Sequence, residues 1–83
     1  MEYEFDPDKD AANIFKHGVS LVRAIDFEIL SYVEDRRFAE PRFRLYGMID
    51  GETYCLAGTD RDDRVRVISL RRAHAKEMRR YVR

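Results

Sequence analysis

Two β-prone segments meet at Asp50-Gly51, and this junction constrains the fold more than any other feature of the chain. Phe43 to Ile49 precedes the dipeptide and Glu52 to Thr59 follows it. Asp-Gly readily adopts the positive φ angles of a type I′ turn, which joins two antiparallel strands with only two residues. The sequence therefore predicts a central β-hairpin around which the other elements are arranged.

A further strand is predicted over Arg64 to Ser69, after a polar connection over Asp60 to Asp63. Its first four residues alternate between arginine and valine. Successive side chains of a strand point to opposite faces, so Arg64 and Arg66 share one face and the two valines share the other. Two more strands are predicted: Tyr3 to Phe5, and one that begins at Tyr32-Val33 and runs into Glu34 to Arg37.

Capping signals predict the first helix. Asp6 is suited to the N-cap and Pro7 to the first helical position, whereas Lys16-His17 followed by Gly18 is typical of a helix end. The apolar residues of this helix are expected on one side; they are Ala11, Ile14 and Phe15.

Two more helices are predicted, one over Leu21 to Leu30 with Ser20 as its cap, and one from Arg72 to about Val82. The packing face of the first is expected to consist of Leu21, Ala24, Ile25 and Ile29. The packing seam of the second is expected to consist of His74, Met78, Tyr81 and Val82.

The element order is thus β-α-α-β-β-β-β-α, an α+β fold in which two N-terminal helices cover one face of an antiparallel sheet and a C-terminal helix follows. Residues 1–83 are expected to form one domain with a small core. No apolar run approaches the roughly 18 residues of a membrane span, and the acidic N-terminus lacks the layout of a signal peptide. We therefore expect a cytoplasmic protein. The single cysteine, Cys55, is expected to be a buried thiol.

The formal charge of zero hides a strong asymmetry. Residues 61–83 contain nine Lys or Arg and three acids, a net charge of +6, so the first sixty residues carry −6. Arginine dominates the basic block, and its planar guanidinium binds phosphate in a bidentate manner. The block indicates a phosphodiester ligand, although arginines are also common on ordinary solvated helices. The acidic part suits a basic partner.

The first candidate site is the arginine strand with the head of the last helix: Arg64, Arg66, Ser69, Arg71 and Arg72. Arg71 and Arg72 in the first turn of a helix would oppose its dipole unless an anion lay nearby. This conflict favours a phosphate ligand. The alternative is that these arginines pair with acids of the N-terminal half.

Two further pairs are candidates for proton transfer. Glu77 and Tyr81 lie one turn apart on the last helix, where Glu77 would act as a base or orient an arginine, or simply form a surface ion pair. His17 titrates near neutral pH, but Lys16-His17 before glycine is also ordinary helix capping. The two histidines are far apart and no Cys/His cluster has ligand spacing, so no metal or cofactor is expected.

Two motifs occur in order along the chain, with further characteristic residues between them. The opening motif is Phe5-Asp6-Pro7-x-Lys9 with Asn13-x-x-Lys16-His17-Gly18-Val19, and the closing motif is Asp62-x-Arg64-Val65-Arg66-Val67-Ile68-Ser69-x-Arg71-Arg72-Ala73 with Glu77 and Tyr81. Between them lie Asp35-x-Arg37, Glu40-x-Arg42 and Gly47. Together these residues resemble the BrnT family, whereas Phe38-Ala39 stands where many members have Tyr-Gly.

The resemblance implies a small ribonuclease toxin of a type II toxin–antitoxin module with a RelE-like fold. It also implies a BrnA-like antitoxin as partner, through which DNA would be contacted indirectly. We expect metal-independent RNA cleavage by attack of the 2′-hydroxyl, with Arg64, Arg66 and Arg71 holding the phosphate. Glu77 or His17 would be the base and Tyr81 would position a base or the leaving group. Further RNA contacts are expected from Arg72, Lys16 and Arg42. The alternatives are a binder that holds nucleic acid without cutting it, and a domain that only binds a protein partner.

Overall fold

The computed structural model describes residues 2–82, so Met1 and the last arginine of the basic block, Arg83, lie outside the described residues. The elements follow one another in the predicted β-α-α-β-β-β-β-α order, although the second helix is a 3₁₀ helix. They are β1 (Tyr3–Glu4), α1 (Pro7–His17), the 3₁₀ helix (Leu21–Asp26), β2 (Glu28–Asp35), β3 (Arg42–Ile49), β4 (Glu52–Arg61), β5 (Arg64–Arg72) and α2 (Ala75–Tyr81).

The predicted central hairpin is confirmed. β3 and β4 pair antiparallel, with Ile49 opposite Glu52. Asp50 and Gly51 have φ angles of 50° and 78°, both in the left-handed region that a type I′ turn requires.

The five strands form one sheet in the order β1-β5-β4-β3-β2. The prediction of an antiparallel sheet is wrong at one edge, because β1 pairs parallel with β5. After β1 the chain enters α1, and the next strand that lies beside β1 is β5. This strand runs in the same direction as β1. The sheet is therefore mixed, with β1 and β2 as its two edge strands.

The second predicted helix is too long. The 3₁₀ helix ends at Asp26, Phe27 is extended with ψ of 122°, and Glu28 already pairs with Met48 of β3. Pairing with the hairpin outweighs the weak helical pattern of this segment. Leu21 and Ala24 are fully buried as predicted, whereas Ile25 and Ile29 are 66% and 41% exposed, so their predicted packing is wrong.

Helix α1 begins and ends as its capping residues predict, but a different residue attaches it to the sheet. Asp6 caps it, and Gly18 ends it with a φ of 74°. Ile14 and Phe15 are exposed, and the buried residue is Asn13. The Asn13 amide donates to the carbonyls of Val19 and Leu70, and its side-chain oxygen accepts from the N–H of Leu70. A polar anchor thus replaces the predicted apolar face.

The two faces of the sheet carry separate apolar clusters. We call the face under α1 and the 3₁₀ helix the core face, and the opposite one the open face. The main cluster, on the core face, consists of Leu21, Ala24, Phe43, Leu45, Ile49, Leu56, Val65, Val67 and Leu70. A smaller cluster on the open face consists of Tyr46, Cys55 and Ala73, against which Met78, Tyr81 and Val82 pack.

The last helix begins later than predicted. β5 extends through Arg72, which pairs with Tyr54, and α2 begins only at Ala75. Arg71 and Arg72 are therefore strand residues, and the inferred conflict with the helix dipole does not exist. Met78, Tyr81 and Val82 pack as predicted, but His74 is exposed.

A β-bulge in β5 changes which side chains face the core. Ala57 pairs with Ser69 but Gly58 pairs with Val67, so Ile68 is an extra residue on β5. Beyond Ile68, the alternation of side chains between the two faces of the sheet is therefore shifted by one residue. Val65 and Val67 face the core as predicted, and after the bulge Leu70 joins them while Arg71 emerges on the open face.

No helix within residues 2–82 is long and apolar enough to cross a membrane.

Gly47 is expected to be essential for the pairing of β2 with β3. A Cβ at this position would lie 2.0 Å from the backbone oxygen of Glu28 and 2.9 Å from the ring of Phe27. Since the first contact is backbone, Gly47→Ala should lower the free energy of unfolding by about 3 kcal/mol. Chemical denaturation measures this change.

Gly18→Ala is the control, because it strains a positive φ without any overlap within 4 Å. It should cost only about 1 kcal/mol. Equal costs for the two variants would show that overlap with Glu28 is unimportant.

Candidate active site

The register of the three central strands brings three side chains together on the open face. Tyr46 pairs with Cys55, and Cys55 pairs with Arg71. Tyr46 and Cys55 are buried, and burial raises the pKa of both. The site thus has neutral, protonated groups in its floor and an arginine at its margin.

Glu77 of α2 holds Arg71 in place. Nη1 of Arg71 donates to Oε1 of Glu77 at 2.8 Å, and Nη2 donates to Oε2 at 2.9 Å. The backbone N–H of His74 also donates to Oε1, at 3.1 Å. Hydrogen bonding by Arg71 lowers the pKa of Glu77 from 4.5 to about 2. Glu77 is therefore a carboxylate at neutral pH, and it fixes the guanidinium plane of Arg71.

Tyr46 connects this pair to a second arginine. Its hydroxyl donates to Oε2 of Glu77 at 3.0 Å and accepts from Nη1 of Arg44 at 2.9 Å. The ring of Tyr81 stacks on that of Tyr46, with centroids 5.0 Å apart and an angle of 12° between the planes. The Arg44 guanidinium lies 5.0 Å from the centroid of Tyr81. Arg71 and Arg44 are thus linked through Glu77 and the hydroxyl of Tyr46.

A groove of about 230 Å³ lies along these arginines. Arg71, Ser69 and Cys55 line one part, and Arg44 and Arg42 line another. Nε of Arg44 is buried and has no hydrogen-bond partner in the described part of the chain. Two fixed guanidinium groups beside a groove are suited to bind a phosphate.

Asp35 closes one end of this groove. Arg37 donates to it three times, from Nε at 2.8 Å, from Nη2 at 2.6 Å and from its backbone N–H at 3.2 Å. These hydrogen bonds hold the pKa of Asp35 well below its usual range. Nε of Arg44 lies 4.0 Å from Oδ2 of Asp35, so the buried carboxylate also balances the charge of Arg44.

The predicted RNA contact Arg42 lines both this groove and a neighbouring cavity of about 560 Å³. Arg66, another predicted contact, lines that cavity together with Lys9 and Arg61. Arg66 is also paired with two acids of the N-terminal segment, Glu4 at 3.1 Å and Asp6 at 3.3 Å. The alternative that these arginines pair with N-terminal acids thus holds for Arg66.

Two of the predicted site arginines lie away from the groove. Arg64 is more than half exposed and pairs with Glu2 at 3.3 Å. Arg72 faces the opposite side of the sheet from Arg71, where it pairs with Glu52 and lies 5.5 Å from the ring centroid of Tyr54. The structure therefore does not bring Arg64 and Arg72 together with Arg71 at the groove.

His17 lies at the end of α1, near enough to Arg71 for the charge of that arginine to act on the imidazole. Burial lowers its pKa, and the nearby charges of Lys16 and Arg71 lower it further. The imidazole is therefore neutral at pH 7, as a general base must be. Lys16 is exposed next to it. Residues 2–82 contain no group of three or more His, Cys, Asp or Glu side chains that could hold a metal ion.

Two central residues of this site were not among the predicted site residues: Arg44 and Tyr46. A signal was present, because Arg42, Arg44 and Tyr46 alternate with buried apolar residues along β3. The hairpin was predicted from the Asp50-Gly51 turn, and the alternation along β3 additionally places these three polar side chains on one face.

A family model matches residues 5–77, most of the chain, and its description is the ribonuclease toxin BrnT of type II toxin–antitoxin systems. This chain belongs to the BrnT family. The prediction of an endoribonuclease toxin is thereby confirmed, and membership of a type II system implies an RNA substrate and an antitoxin partner.

The crystal structure of the Brucella abortus ribonuclease toxin BrnT has the same fold. It matches with a TM-score of 0.70 and 24% sequence identity, over 89% of this chain and 97% of that one. No curated protein sequence matches significantly. The α+β fold of the BrnT family is therefore supported by both the family model and a solved structure.

The Glu77–Arg71 pair is expected to make this BrnT-family chain sensitive to acid. The pKa of Glu77 is lowered on folding, so its contribution to stability is complete above pH 4.5 and is lost as the pH falls towards 2. Glu77→Gln should lower the free energy of unfolding by about 2 kcal/mol at pH 7, and the difference should shrink towards pH 2. Denaturant titrations from pH 7 to pH 2 measure it.

The matched control is Glu34→Gln, which removes an exposed pair with Arg36. That change should cost less than about 0.5 kcal/mol at any pH. A Glu77→Gln difference that did not change with pH would contradict the assigned role of the carboxylate.

Proposed function

We propose that this toxin binds one phosphodiester of RNA in the groove between Arg71 and Arg44 and cleaves it without a metal ion. The observation that carries the proposal is the rigid pair of guanidinium groups, joined through Glu77 and Tyr46. Such fixed donors stabilise the charge that develops on the phosphorus oxygens in the transition state. Arg44 is fixed beside the groove by its hydrogen bond to Tyr46 and by Asp35, whose Oδ2 lies 4.0 Å from its Nε.

The nucleophile in this proposal is the 2′-hydroxyl next to the scissile phosphate. Its oxygen attacks phosphorus, the bond to the 5′-oxygen breaks, and the products are a 2′,3′-cyclic phosphate and a 5′-hydroxyl. One proton leaves the 2′-hydroxyl, and the leaving 5′-oxygen takes one from water. Because the arginines supply the positive charge, the step requires no metal ion.

His17 is the base in this mechanism rather than Glu77. Glu77 accepts four hydrogen bonds, from Arg71, Tyr46 and the backbone of His74, and with a pKa of about 2 it is a weak base. His17 has a lowered pKa and is available in its neutral form. Glu77 instead positions Arg71, and Tyr81 beside Arg44 positions the leaving group.

The rest of the RNA is proposed to follow the open face towards the neighbouring cavity. Arg42 lines both the groove and that cavity, and Lys9 and Arg66 lie further along. Their positive charges are suited to the phosphates that flank the scissile one. Arg64 and Arg72 have no role in this path.

The proposed partner is a BrnA-like antitoxin, and DNA would be contacted by the antitoxin and not by this chain. The proposed location is the cytoplasm. A protein partner is supported by the apolar side chains that are exposed along the edge strand β2 and the 3₁₀ helix next to it. They are Val22, Ile25, Ile29, Leu30 and Tyr32.

Arg71→Ala should reduce RNA cleavage by about 10²–10³-fold, because it removes a donor to the transition state. The matched control is Arg72→Ala, since this neighbouring arginine faces the other side of the sheet and should be dispensable. Initial rates on total bacterial RNA in EDTA, with circular dichroism to show folding, measure both.

An RNA oligonucleotide with 2′-deoxyribose at each mapped cut site should remain intact in the same assay. Cleavage of that oligonucleotide would exclude attack by the 2′-hydroxyl, and cleavage that requires added Mg²⁺ would exclude the metal-free step. Folded protein that binds RNA in a salt-dependent manner without cutting it would support a binder instead.

The pH dependence of cleavage should identify the base. The rate is expected to rise with pH and level off above an inflection below 6.5, because burial and nearby cations lower the pKa of His17. His17→Ala should lose about 10²-fold in rate together with this inflection. Rates measured from pH 4.5 to pH 8 test this.

His74→Ala is the control, because it removes the only other histidine and should keep the inflection. An inflection that survived in His17→Ala would assign the proton transfer to another group.

A further inference from the structure

An aromatic cavity of about 340 Å³ lies next to the phosphate groove, and the mechanism above does not use it. Tyr32, Phe38 and Phe43 line it, together with the carboxylates of Glu34 and Asp60. Its position is set by β2 and β3 and by the connection between them, which covers one end of the sheet. Aromatic side chains in a cavity that also carries charged groups can hold a flat organic ring and hydrogen-bond to its edge.

Phe38 and Arg42 form the wall between this cavity and the groove, since both residues line both spaces. The guanidinium of Arg42 lies 4.0 Å from the centroid of the Phe38 ring, and that of Arg37 lies 5.6 Å from it. Glu40 holds Arg42 in this position through two hydrogen bonds, at 3.1 Å and 3.2 Å. The stack is therefore built into the loop and its flanking strand.

The ring of Phe38 remains accessible in spite of these contacts. The residue is 44% exposed. Tyr32 is 56% exposed, and its ring centroid lies 5.3 Å from that of Phe43. The cavity thus presents open aromatic surface next to Arg42, which also lines the groove.

We propose that this cavity is a nucleobase subsite, in which the base next to the scissile phosphate stacks on the Phe38–Arg42 wall. The inference rests on the proposed function, because it takes the groove at Arg71 as the phosphate site. Stacking of bases on aromatic and guanidinium planes is a general mode of single-strand recognition. A nucleotide whose phosphate occupied the groove would have its base at the shared wall.

The polar groups of the cavity indicate which bases it takes. No hydrogen bond or ion pair within residues 2–82 engages the side chain of Asp60, and a carboxylate only accepts hydrogen bonds. A base with an exocyclic amino group donates to it, whereas the N3–H of uracil lies between two carbonyl oxygens that a carboxylate repels. The subsite therefore selects adenine, cytosine or guanine over uracil.

Fluorescence provides a direct test, because the chain contains no tryptophan. Phe38→Trp places one tryptophan in the proposed wall, and 5′-mononucleotides report binding because they contain no phosphodiester to cleave. Titration with GMP, AMP or CMP should quench this fluorescence, and UMP should bind about tenfold more weakly. Asp60→Asn in the same background should abolish most of that difference.

The matched control is Phe15→Trp, since Phe15 is 94% exposed on α1 and lines none of the three cavities described above. Its fluorescence should not respond to any of the four nucleotides. Equal quenching of both variants, or none in Phe38→Trp at millimolar nucleotide, would overturn the subsite.

Cleavage kinetics separate this inference from the proposed function. Phe38→Ala should raise KM about tenfold with a smaller change in kcat, and it should broaden the map of cut sites. Unchanged KM and cut sites in Phe38→Ala, with cleavage still lost in Arg71→Ala, would overturn the subsite alone. Equal cleavage by Arg71→Ala and the native chain would overturn the phosphate site, and with it the inference.

Discussion

A single extra residue in β5 decides which side chains share the open face of the sheet. Without the bulge at Ile68, the alternation that begins at Arg64 would point Arg71 into the core and Leu70 towards solvent. With it, Leu70 completes the main cluster and Arg71 lies in register with Cys55 and Tyr46. The same bulge therefore buries Leu70 in the core and places Arg71 on the open face.

The carboxylate of Glu77 then holds the side chains of Arg71 and Tyr46 in place. It accepts hydrogen bonds from β5 through Arg71, from β3 through Tyr46, and from the first turn of its own helix. The stacking of Tyr81 on Tyr46 holds the same helix against the sheet. Short α2 is thus attached mainly by polar and aromatic contacts around the groove, so that packing and site geometry depend on each other.

Local signals predicted the elements that depend on local interactions. The Asp50-Gly51 turn and the caps of α1 formed as expected, because turn and cap geometry involves only neighbouring residues. The helix predicted over Leu21 to Leu30 was cut short because Glu28 onwards pairs with β3. Prediction also brought Arg71, Glu77 and Tyr81 to one place, but it left out Arg44 and Tyr46, whose roles depend on the register between strands.

The sequence by itself determined the central hairpin, the capped first helix, the arginine-valine alternation of β5 and the family. Each of these features can be recognised from adjacent residues or from motifs along the chain. Only the tertiary structure decided that β1 runs parallel to β5, that Arg71 and Arg72 face opposite sides of the sheet, and that Phe38 lines the groove beside Arg71. The physical reason is that strand register and the bulge depend on long-range packing, which no local pattern of residues encodes.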